Sequence, residues 1–341
     1  MGIDQKKWSR VYKENIVVDG LLVGPPSGKH VQELLDCGIT STNWTVSSHR
    51  EDTIQALNKI IQFYWLLEQF PQSTLLVEKS SDIDRAKREG KLGIILMFQT
   101  ASPLGTNVHL IRIFHRLGVR VIELAYNESS PLAAGCLEPA NGGLTSLGIQ
   151  AVQEMNRIGV LIDLSHVGER SSLEAIEISE DPVIFSHSNA RKLQENPRNV
   201  SDEQIKACEA KGGVIGLASF SAFVGSTKGG RHPTLEEYLK HMDYLLDLVG
   251  PDHVGIGTDI MISEPTDGVW WRATTGRLYS AVSQEMTYET HNIKGFMHHS
   301  DFPAVVNAML DHGYKESVVR KIIGGNWQRV YRQVWDKGSC T

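Results

Sequence analysis

The sequence has few cysteines and no long hydrophobic run. Its cysteines lie far apart, without the C-x-x-C spacing of many metal and redox motifs. They are Cys37, Cys136, Cys208 and Cys340. No stretch approaches the ~18 consecutive apolar residues of a membrane-spanning helix, and the polar N-terminal segment MGIDQKKWSRVYKEN lacks the apolar core of a secretory signal. We therefore expect a cytoplasmic protein with reduced thiols and no membrane association.

An excess of basic residues is also absent. The chain carries 34 Lys and Arg against 40 Asp and Glu, which gives a formal net charge of −6. This balance argues against nucleic acid or an anionic membrane as the partner. The hydrophobic fraction of 41% and the charged fraction of 22% are typical of a globular protein. Because no linker, repeat or low-complexity stretch divides the chain, we expect a single domain over residues 1–341.

Eight short apolar runs alternate with helical patterns along the chain. Most of the runs are continuous and β-branched, which is typical of strands covered on both faces. They are NIVVDGLLV (15–23), ITSTNWTV (39–46), KLGIILMF (91–98), VRVIELAY (119–126), VLIDLSH (160–166), PVIFSHS (182–188), GVIGLASF (213–220) and HVGIGTDI (253–260). A further segment, TLLVEKS (74–80), is ambiguous between a short strand and the start of a helix. The alternation predicts an α/β fold, a (β/α)₈ barrel, with a doubly wound sheet as the alternative.

One helix and one long loop give further expectations. The helical pattern after the second run places its apolar stripe on Ile54, Leu57, Ile61, Tyr64 and Leu67. The irregular stretch 261–300 follows the last strand, so in a barrel it would lie over the mouth where ligands bind. We expect its three histidines to be exposed loop residues and its tryptophan pair either to line a pocket or to pack the loop down. These residues are His291, His298, His299, Trp270 and Trp271.

Two of the apolar runs end on the same Ser-His pair. GVLIDLSHVG ends on His166, and PVIFSHSNAR ends on His187. In a barrel the carboxyl ends of the strands meet at the active site, so both imidazoles should converge there with Asp259 of GIGTDI. Two neutral imidazoles are a natural start to a divalent-metal site, most often zinc, and Asp259 could be a third ligand or a base. The alternative is that each histidine bonds its own loop and that Asp259 caps the next one.

An arginine in NPRNVSDE completes the candidate site. Arg198 stands just before a helix-start signal at Asn199 to Ser201. A guanidinium there could bind a substrate carboxylate through two parallel hydrogen bonds. A surface ion pair is the more common role for an arginine.

Together these motifs resemble the membrane dipeptidase (renal dipeptidase) family. The similarity runs over nearly the whole chain and is strongest in GLTSLGIQAVQEMNRIGVLIDLSHVGE, PVIFSHSNAR, PRNVSDE, HVGIGTDI and IIGGNWQRVYRQVW. The resemblance implies a (β/α)₈ barrel, usually dimeric, with a binuclear zinc site that hydrolyses dipeptides. It implies that His166 and His187 match the ligands of the second zinc, that Asp259 matches the aspartate near the bridging water, and that Arg198 matches the arginine that meets the substrate carboxylate.

The sequence departs from the family pattern on the other half of the site. Where the family has D-G-H-N-D, with the ligands of the first zinc, this chain has Asp19-Gly20-Leu21-Leu22-Val23. Gln99 stands at the position of the bridging glutamate, and Tyr126 at that of a substrate-contacting histidine. Hydrocarbon side chains cannot coordinate a metal, and a neutral amide is a weaker ligand than a carboxylate. We therefore expect one zinc ion or none.

A site with these replacements is consistent with three functions. The first is a hydrolase of a small dipeptide-like or amide substrate that carries a carboxylate. Its zinc is held by His166 and His187, with Asp259 or Gln99 as a third ligand, and Tyr126 donates a hydrogen bond to the oxyanion. The second is a lyase, decarboxylase or isomerase on the same barrel, and the third is an inactive relative. In the non-hydrolytic enzyme the apolar patch around Leu21 and Val23 would accommodate part of the substrate. We expect a homodimer and a small molecule as the only other partner.

Overall fold

A computed structural model describes residues 8–47, 49–262 and 286–338 of the chain. The Trp270–Trp271 pair and most of the 261–300 stretch lie outside the described residues. Among the helices that are described, none is both long enough and apolar enough to cross a membrane.

Parallel strands form the centre of the fold. All eight apolar runs contain a strand, and each strand pairs in parallel with its neighbours in chain order. The ambiguous segment forms a short strand, β3, which pairs with residues 92–94 at the start of β4, ahead of the residues that pair with β5. The strands are β1 (Val18–Val23), β2 (Ser41–Ser47), β3 (Thr74–Leu76), β4 (Leu92–Phe98), β5 (Val119–Glu123), β6 (Leu161–Asp163), β7 (Ile184–Phe185), β8 (Val214–Leu217), β9 (Val254–Ile256) and β10 (Ile260–Met261). This arrangement, with helices between the strands, is the predicted (β/α)₈ barrel.

Helices surround the strands and cover their outer face. Several begin at the side-chain caps that the sequence offers, such as Asp52 before α3 and Ser201 before α8. The helices are α1 (Arg10–Glu14), α2 (Gly28–Asp36), α3 (Thr53–Gln69), α4 (Ser81–Glu89), α5 (Leu110–Arg116), α6 (Ser146–Ile158), α7 (Glu169–Ile178), α8 (Asp202–Ala210), α9 (Ser221–Val224), α10 (Leu235–Val249), α11 (Phe302–Asp311), α12 (Glu316–Arg320) and α13 (Asn326–Trp335).

The barrel closes between its last and first strands. The strand β9 pairs with β8, and after a short irregular turn β10 pairs with β1. The turn contains Asp259, whose φ of 57° lies in the left-handed region that few residues other than glycine adopt. Its backbone N–H donates to the carbonyl oxygen of Leu21 at 3.3 Å. The closure therefore brings Asp259 to the carboxyl end of β1.

The C-terminal helix α13 fills the opposite end of the barrel. Asn326 donates from Nδ2 to the carbonyl oxygen of Val254 at 2.7 Å, so the helix meets β9 at its amino end. The indole of Trp327 enters the lumen, where a Cβ added to Gly255 would lie 2.8 Å from two of its ring atoms. Only glycine leaves room for this close approach. With the amino end filled by an indole, the carboxyl end remains for a site.

The predicted apolar stripe of α3 was only partly correct, because Leu57, Tyr64 and Leu67 pack against the core while its other two members are exposed. Ile54 and Ile61, two of its members, are 64% and 43% exposed. The buried face is displaced around the helix and consists of Ala56, Ile60, Phe63 and Leu66. The helix is apolar on most of its circumference, so two stripes compete in the sequence, and packing against the strands decides between them.

Candidate active site

His166 and His187 come together where β6 and β7 end. Both side chains are buried, and their Nε2 atoms lie 2.9 Å apart. The ring centroids are 4.9 Å apart, with the ring planes tilted by 58°. The structure thus brings the two imidazoles of the repeated Ser-His motif together, because the carboxyl ends of neighbouring parallel strands are adjacent.

Each imidazole is held from behind through its Nδ1 atom. Nδ1 of His166 lies 2.7 Å from Oδ1 of Asn127, and Nδ1 of His187 lies 2.7 Å from Oγ of Ser186. The hydroxyl of Ser186 donates in turn to the carboxylate of Asp163 at the end of β6. The partners of the rings thus come from other loops and strands as well as from the Ser-His motif.

Gln99 and Tyr126 contact the histidine pair from two other sides. Nε2 of Gln99 lies 3.4 Å from Nε2 of His187, while Oε1 accepts the hydroxyl of Thr45 at 3.2 Å. Gln99 therefore turns its amide nitrogen toward the pair. The ring of Tyr126 stacks on His166, with centroids 4.0 Å apart and planes within 23°.

Burial and one nearby cation keep the histidine pair neutral. The pKa of His166 and that of His187 are both held well below the usual value, first by burial and then by the positive charge of Arg198. Burial raises the pKa of Asp259 to about 7, against the lowering effect of Arg198 and with a smaller raising effect from Asp19. Near neutral pH, Asp259 can therefore either accept or donate a proton.

Arg198 lies beneath the strand ends and is almost fully buried. Its Nη1 donates to the carbonyl oxygen of Ser165 and its Nη2 to that of His187, at 3.3 Å for the second bond. The guanidinium lies 5.1 Å from the ring centroid of Phe223. Its Nε has no hydrogen-bond partner among the described residues. Arg198 thus links the two segments that carry the histidines, and its buried Nε–H is available to a bound ligand.

Leu21 and Val23, the hydrocarbon side chains at the positions where the resemblance implies metal ligands, differ in exposure. Leu21 is fully buried among apolar side chains of the barrel lumen, and Val23 is partly exposed beside them. Without movement of the backbone, Val23 is the one of these two side chains that a bound molecule could touch.

Some polar residues near the site were missed or misassigned from the sequence. Glu123, the last residue of β5, accepts the backbone N–H of His166, and its Oε2 is buried with no hydrogen-bond partner among the described residues. Burial raises its pKa well above the usual value, with a further raising effect from Asp163. The signal was a charged residue inside the apolar run VRVIELAY.

The loop histidines were only partly predicted. His298 is exposed as expected, but His291 and His299 are buried, which corrects that expectation. Nε2 of His299 lies 2.8 Å from Oδ2 of Asp19, so the segment after the long loop is fastened to β1. A buried partner 280 residues away leaves no local signal in the sequence.

A small polar pocket is lined in part by Tyr126 and does not include His166 or His187 in its lining. Its volume is about 40 Å³, enough for a few waters or a small polar group. Arg50 and Glu128 form an ion pair among its lining residues. The lining residues are His49, Arg50, Thr100, Ser102, Tyr126, Glu128, Ser129 and Ser130.

The donor set of the site suits a single metal ion better than two. Within the part of the chain that the structure describes, no three His, Cys, Asp or Glu side chains form a group that could hold a metal. The two facing Nε2 atoms supply two nitrogen ligands, one fewer than catalytic zinc sites usually take from the protein. The described residues therefore offer the two histidine nitrogens as metal ligands, and no third His, Cys, Asp or Glu is grouped with them.

The barrel with a histidine pair at its carboxyl end places the chain among metallohydrolase-like (β/α)₈ proteins. The profile of the membrane dipeptidase family (peptidase family M19) matches residues 28–269. The chain belongs to this family. It is 30% identical to the dipeptidase tcpJ of Claviceps purpurea over 304 residues, which cover 89% of this chain and 65% of that protein. The chain thus spans just under two thirds of the length of that relative.

Solved structures share the fold over nearly the whole chain. An amidohydrolase from Pseudomonas aeruginosa has 33% sequence identity and a TM-score of 0.88, with 96% of this chain and 98% of that chain covered. A metallopeptidase from Rhodobacter sphaeroides, solved with a phosphinate mimic of the dipeptide L-Ala-D-Ala, has 20% identity and a TM-score of 0.77. In that comparison 94% of this chain and all of the other chain are covered. At this identity the likeness concerns the fold alone.

Proposed function

We propose that the protein is a metal-dependent hydrolase of small dipeptide-like or amide substrates, with a reduced site that holds at most one zinc ion. The observation that carries this proposal is the pair of buried, neutral imidazoles, His166 and His187, with Nε2 atoms 2.9 Å apart. Membership of the membrane dipeptidase family supports the reaction class. The tcpJ relative is named as a dipeptidase, and the Rhodobacter relative was solved with a dipeptide mimic.

The proposed metal site uses only half of the family's ligands. His166 and His187 would hold the ion. A zinc ion bound there supplies Lewis acidity to a carbonyl and lowers the pKa of a coordinated water. Leu21 and Val23 offer no ligand atom, and Gln99 turns its amide nitrogen to the pair, so nothing at these positions supports a second ion. Asp259 is not grouped with the two histidines among the described residues, so we propose it as the base and not as a ligand.

Asp259 is the proposed base. A pKa of about 7 makes its carboxylate a proton acceptor that is partly ionised at neutral pH. It would take a proton from the attacking water at a carboxylate oxygen and deliver it to the leaving amine. The position of Asp259 at the barrel closure, beside the end of β1, supports this assignment.

Arg198 and Tyr126 are the proposed substrate-binding residues. Arg198 supplies a buried positive charge and an Nε–H without a partner in the described part of the chain, which favours a substrate carboxylate nearby. Tyr126, stacked on His166, would donate a hydrogen bond to the oxyanion. Val23, and Leu21 behind it, would accommodate an apolar part of the substrate. The polar pocket lined in part by Tyr126 suits a polar substituent.

A non-hydrolytic enzyme of the same barrel is the second candidate. The absence of a three-ligand group among the described residues favours it, because a lyase, decarboxylase or isomerase needs no metal-activated water. In that enzyme Tyr126 and the histidine pair would transfer protons.

The proposal extends to the cellular setting. We propose a cytoplasmic homodimer without nucleic-acid or membrane partners. The three cysteines that the structure describes, Cys37, Cys136 and Cys208, are free thiols, which suits a reducing compartment. Sedimentation analysis of the purified protein tests the dimer.

Metal analysis and a substrate screen test the function together. We expect up to one zinc ion per chain and hydrolysis of some dipeptides or small amides. Both should be lost in His166→Ala and kept in His253→Ala, because His253 bonds the carbonyl of Gly213 at the opposite end of the barrel. Two zinc ions per chain would contradict the proposal of a site with at most one ion. No metal and no response to added zinc would overturn the hydrolase.

A further inference from the structure

The structure connects the two Ser-His motifs to each other. The strand β7 is two residues long, Ile184–Phe185, and its ladder with β6 pairs Asp163 with Ile184. Beyond Phe185 the strand ends, so the buried backbone N–H groups of Ser186 and His187 need acceptors outside the ladder. Both acceptors are side chains of the segment that carries the other histidine.

Asp163 accepts hydrogen bonds from both serines of the motifs. Its Oδ1 accepts the backbone N–H and the hydroxyl of Ser165, at 3.2 and 2.8 Å, and the backbone N–H of Ser186 at 2.9 Å. Its Oδ2 accepts the hydroxyl of Ser186. The carboxylate is fully buried, so these donors take the place of water around it. One carboxylate therefore holds the first residue of both Ser-His pairs.

The two serines hold His187 at two different places. The hydroxyl oxygen of Ser165 accepts the backbone N–H of His187 at 3.1 Å, so the serine of the first motif holds the histidine of the second. Oγ of Ser186 lies 2.7 Å from Nδ1 of His187 and holds its ring. Because both hydroxyls donate to Asp163, the backbone and the ring of His187 depend on the same carboxylate.

The peptide of Ser186 is also confined on its carbonyl side. A Cβ added at Gly257, just after β9, would lie 1.8 Å from the carbonyl oxygen of Ser186, so the missing side chain leaves this space to the peptide. We infer that Asp163 is a positioning residue and that its carboxylate joins the two Ser-His motifs into one unit, which sets the distance between the imidazoles. The inference goes beyond the proposed function, because it concerns the placement of the rings with or without a metal.

Nuclear magnetic resonance of the metal-free protein labelled with ¹⁵N-histidine tests the connection between the motifs. In Ser165→Ala the backbone N–H of His187 loses its acceptor, so its amide proton signal should move upfield although the substituted residue belongs to the other motif. The signal can be assigned by its loss in His187→Gln. Ser172→Ala is the matched control and should leave the signal in place, because the buried Ser172 donates to the carbonyl of Glu169 at 2.8 Å. An unchanged signal in Ser165→Ala would overturn the inference.

A double-mutant cycle tests whether Asp163 makes the connection. Urea unfolding is measured for Ser165→Ala, Ser186→Ala and the double variant, in the wild-type background and in Asp163→Asn. Residues of one hydrogen-bond network show non-additive losses of stability, so the double variant should lose less than the sum of the single variants. This non-additivity should shrink in Asp163→Asn, whose amide offers one acceptor atom in place of two. The two hydroxyl oxygens lie 3.2 Å apart, and equal non-additivity in both backgrounds would assign the coupling to that contact and overturn the role of Asp163.

The kinetics of any reaction found in the substrate screen separate a positioning role from a merely structural one. A displacement of about 1 Å at a reacting group can cost about 10²-fold in rate. We expect Asp163→Asn to lower kcat by about that factor with KM little changed. Asp82→Asn is the control and should keep both constants, because the buried Asp82 accepts the backbone N–H groups of Glu78 and Lys79 instead.

The outcomes distinguish this inference from the proposed function. An unchanged kcat in Asp163→Asn would overturn the positioning role. Failure of the wild-type protein to hydrolyse any substrate would contradict the proposed function, and the resonance and unfolding measurements would then decide the inference by themselves.

Discussion

The carboxylate of Asp259 occupies an irregular point of the barrel wall, and its environment suggests a pH-dependent role. Burial raises its pKa to about 7. A base must be ionised to accept a proton, so kcat/KM should fall about tenfold per pH unit below 7 and level off above it. The measurement is a pH profile of kcat/KM with any substrate found in the screen.

Substitution of Asp259 tests the same role without changing the pH. Asp259→Asn should lower kcat by about 10²–10⁴-fold and leave the fold intact, because an amide cannot accept the proton. Asp252→Asn is the matched control, since Asp252 pairs with Lys321 at the far end of the barrel. If Asp259→Asn keeps both the activity of the wild type and its fall in kcat/KM below pH 7, Asp259 is not the base.

Arg198 offers a second test at a single residue. Arg198→Lys keeps the charge but loses the planar guanidinium, and we expect KM for a substrate with a free carboxylate to rise by about 10–100-fold. The same substrate with its carboxylate amidated should show little change. If KM rises equally for both substrates, the role of Arg198 is only to bond the carbonyl oxygens of Ser165 and His187.

Much of the site could be predicted from single positions, and part of it could not. His166, His187 and Asp259 each follow an apolar run, and strand ends converge in a barrel whatever the rest of the sequence. Asn127 and Glu123 belong to a neighbouring loop and strand, and His299 reaches Asp19 from 280 residues away. Their roles depend on distances that only the folded chain defines.

The C-terminal helix is the element that seals the amino end of the barrel, and its fit depends on glycines in the strands. A Cβ at position 255 would lie 2.8 Å from ring atoms of Trp327, so Gly255→Ala should destabilise the protein by about 1–3 kcal/mol. Gly142→Ala, where an added Cβ meets nothing within 4 Å, should be nearly neutral. Urea unfolding of both variants gives the comparison, and equal stabilities would contradict this packing.

Element order was easier to predict than element orientation. All eight apolar runs contain strands. A continuous run of β-branched residues is typical of a parallel strand, because both faces of such a strand are buried by covering layers. The buried face of α3 could not be chosen in the same way, since apolar side chains surround most of that helix and the exposed Trp65 is one of them. The short turn that joins β9 to β10 could not be predicted from a local pattern either, because it depends on the pairing that closes the barrel.

For the whole molecule, the departure from the family that we propose is that one wall of the site carries hydrocarbon and a neutral amide. Leu21 and Gln99 are buried, so charged or basic replacements there would be desolvated and costly without a partner. We therefore expect the triple variant Leu21→His, Val23→Asp, Gln99→Glu, measured without metal, to have a lower melting temperature than the wild-type protein. Binding of a second zinc ion should restore much of that loss, since a ligand that binds only the folded state stabilises it.

Zinc stoichiometry and zinc-dependent melting measure this outcome together. The wild-type protein should hold at most one ion and the triple variant two, with a larger rise in melting temperature on adding zinc. Gln99→Glu alone is the control, because it adds a buried carboxylate without the other two ligands. Should the triple variant hold no more zinc than this control, Leu21, Val23 and Gln99 would not be the replaced ligands, and the difference between this chain and binuclear dipeptidases would lie elsewhere in the barrel mouth.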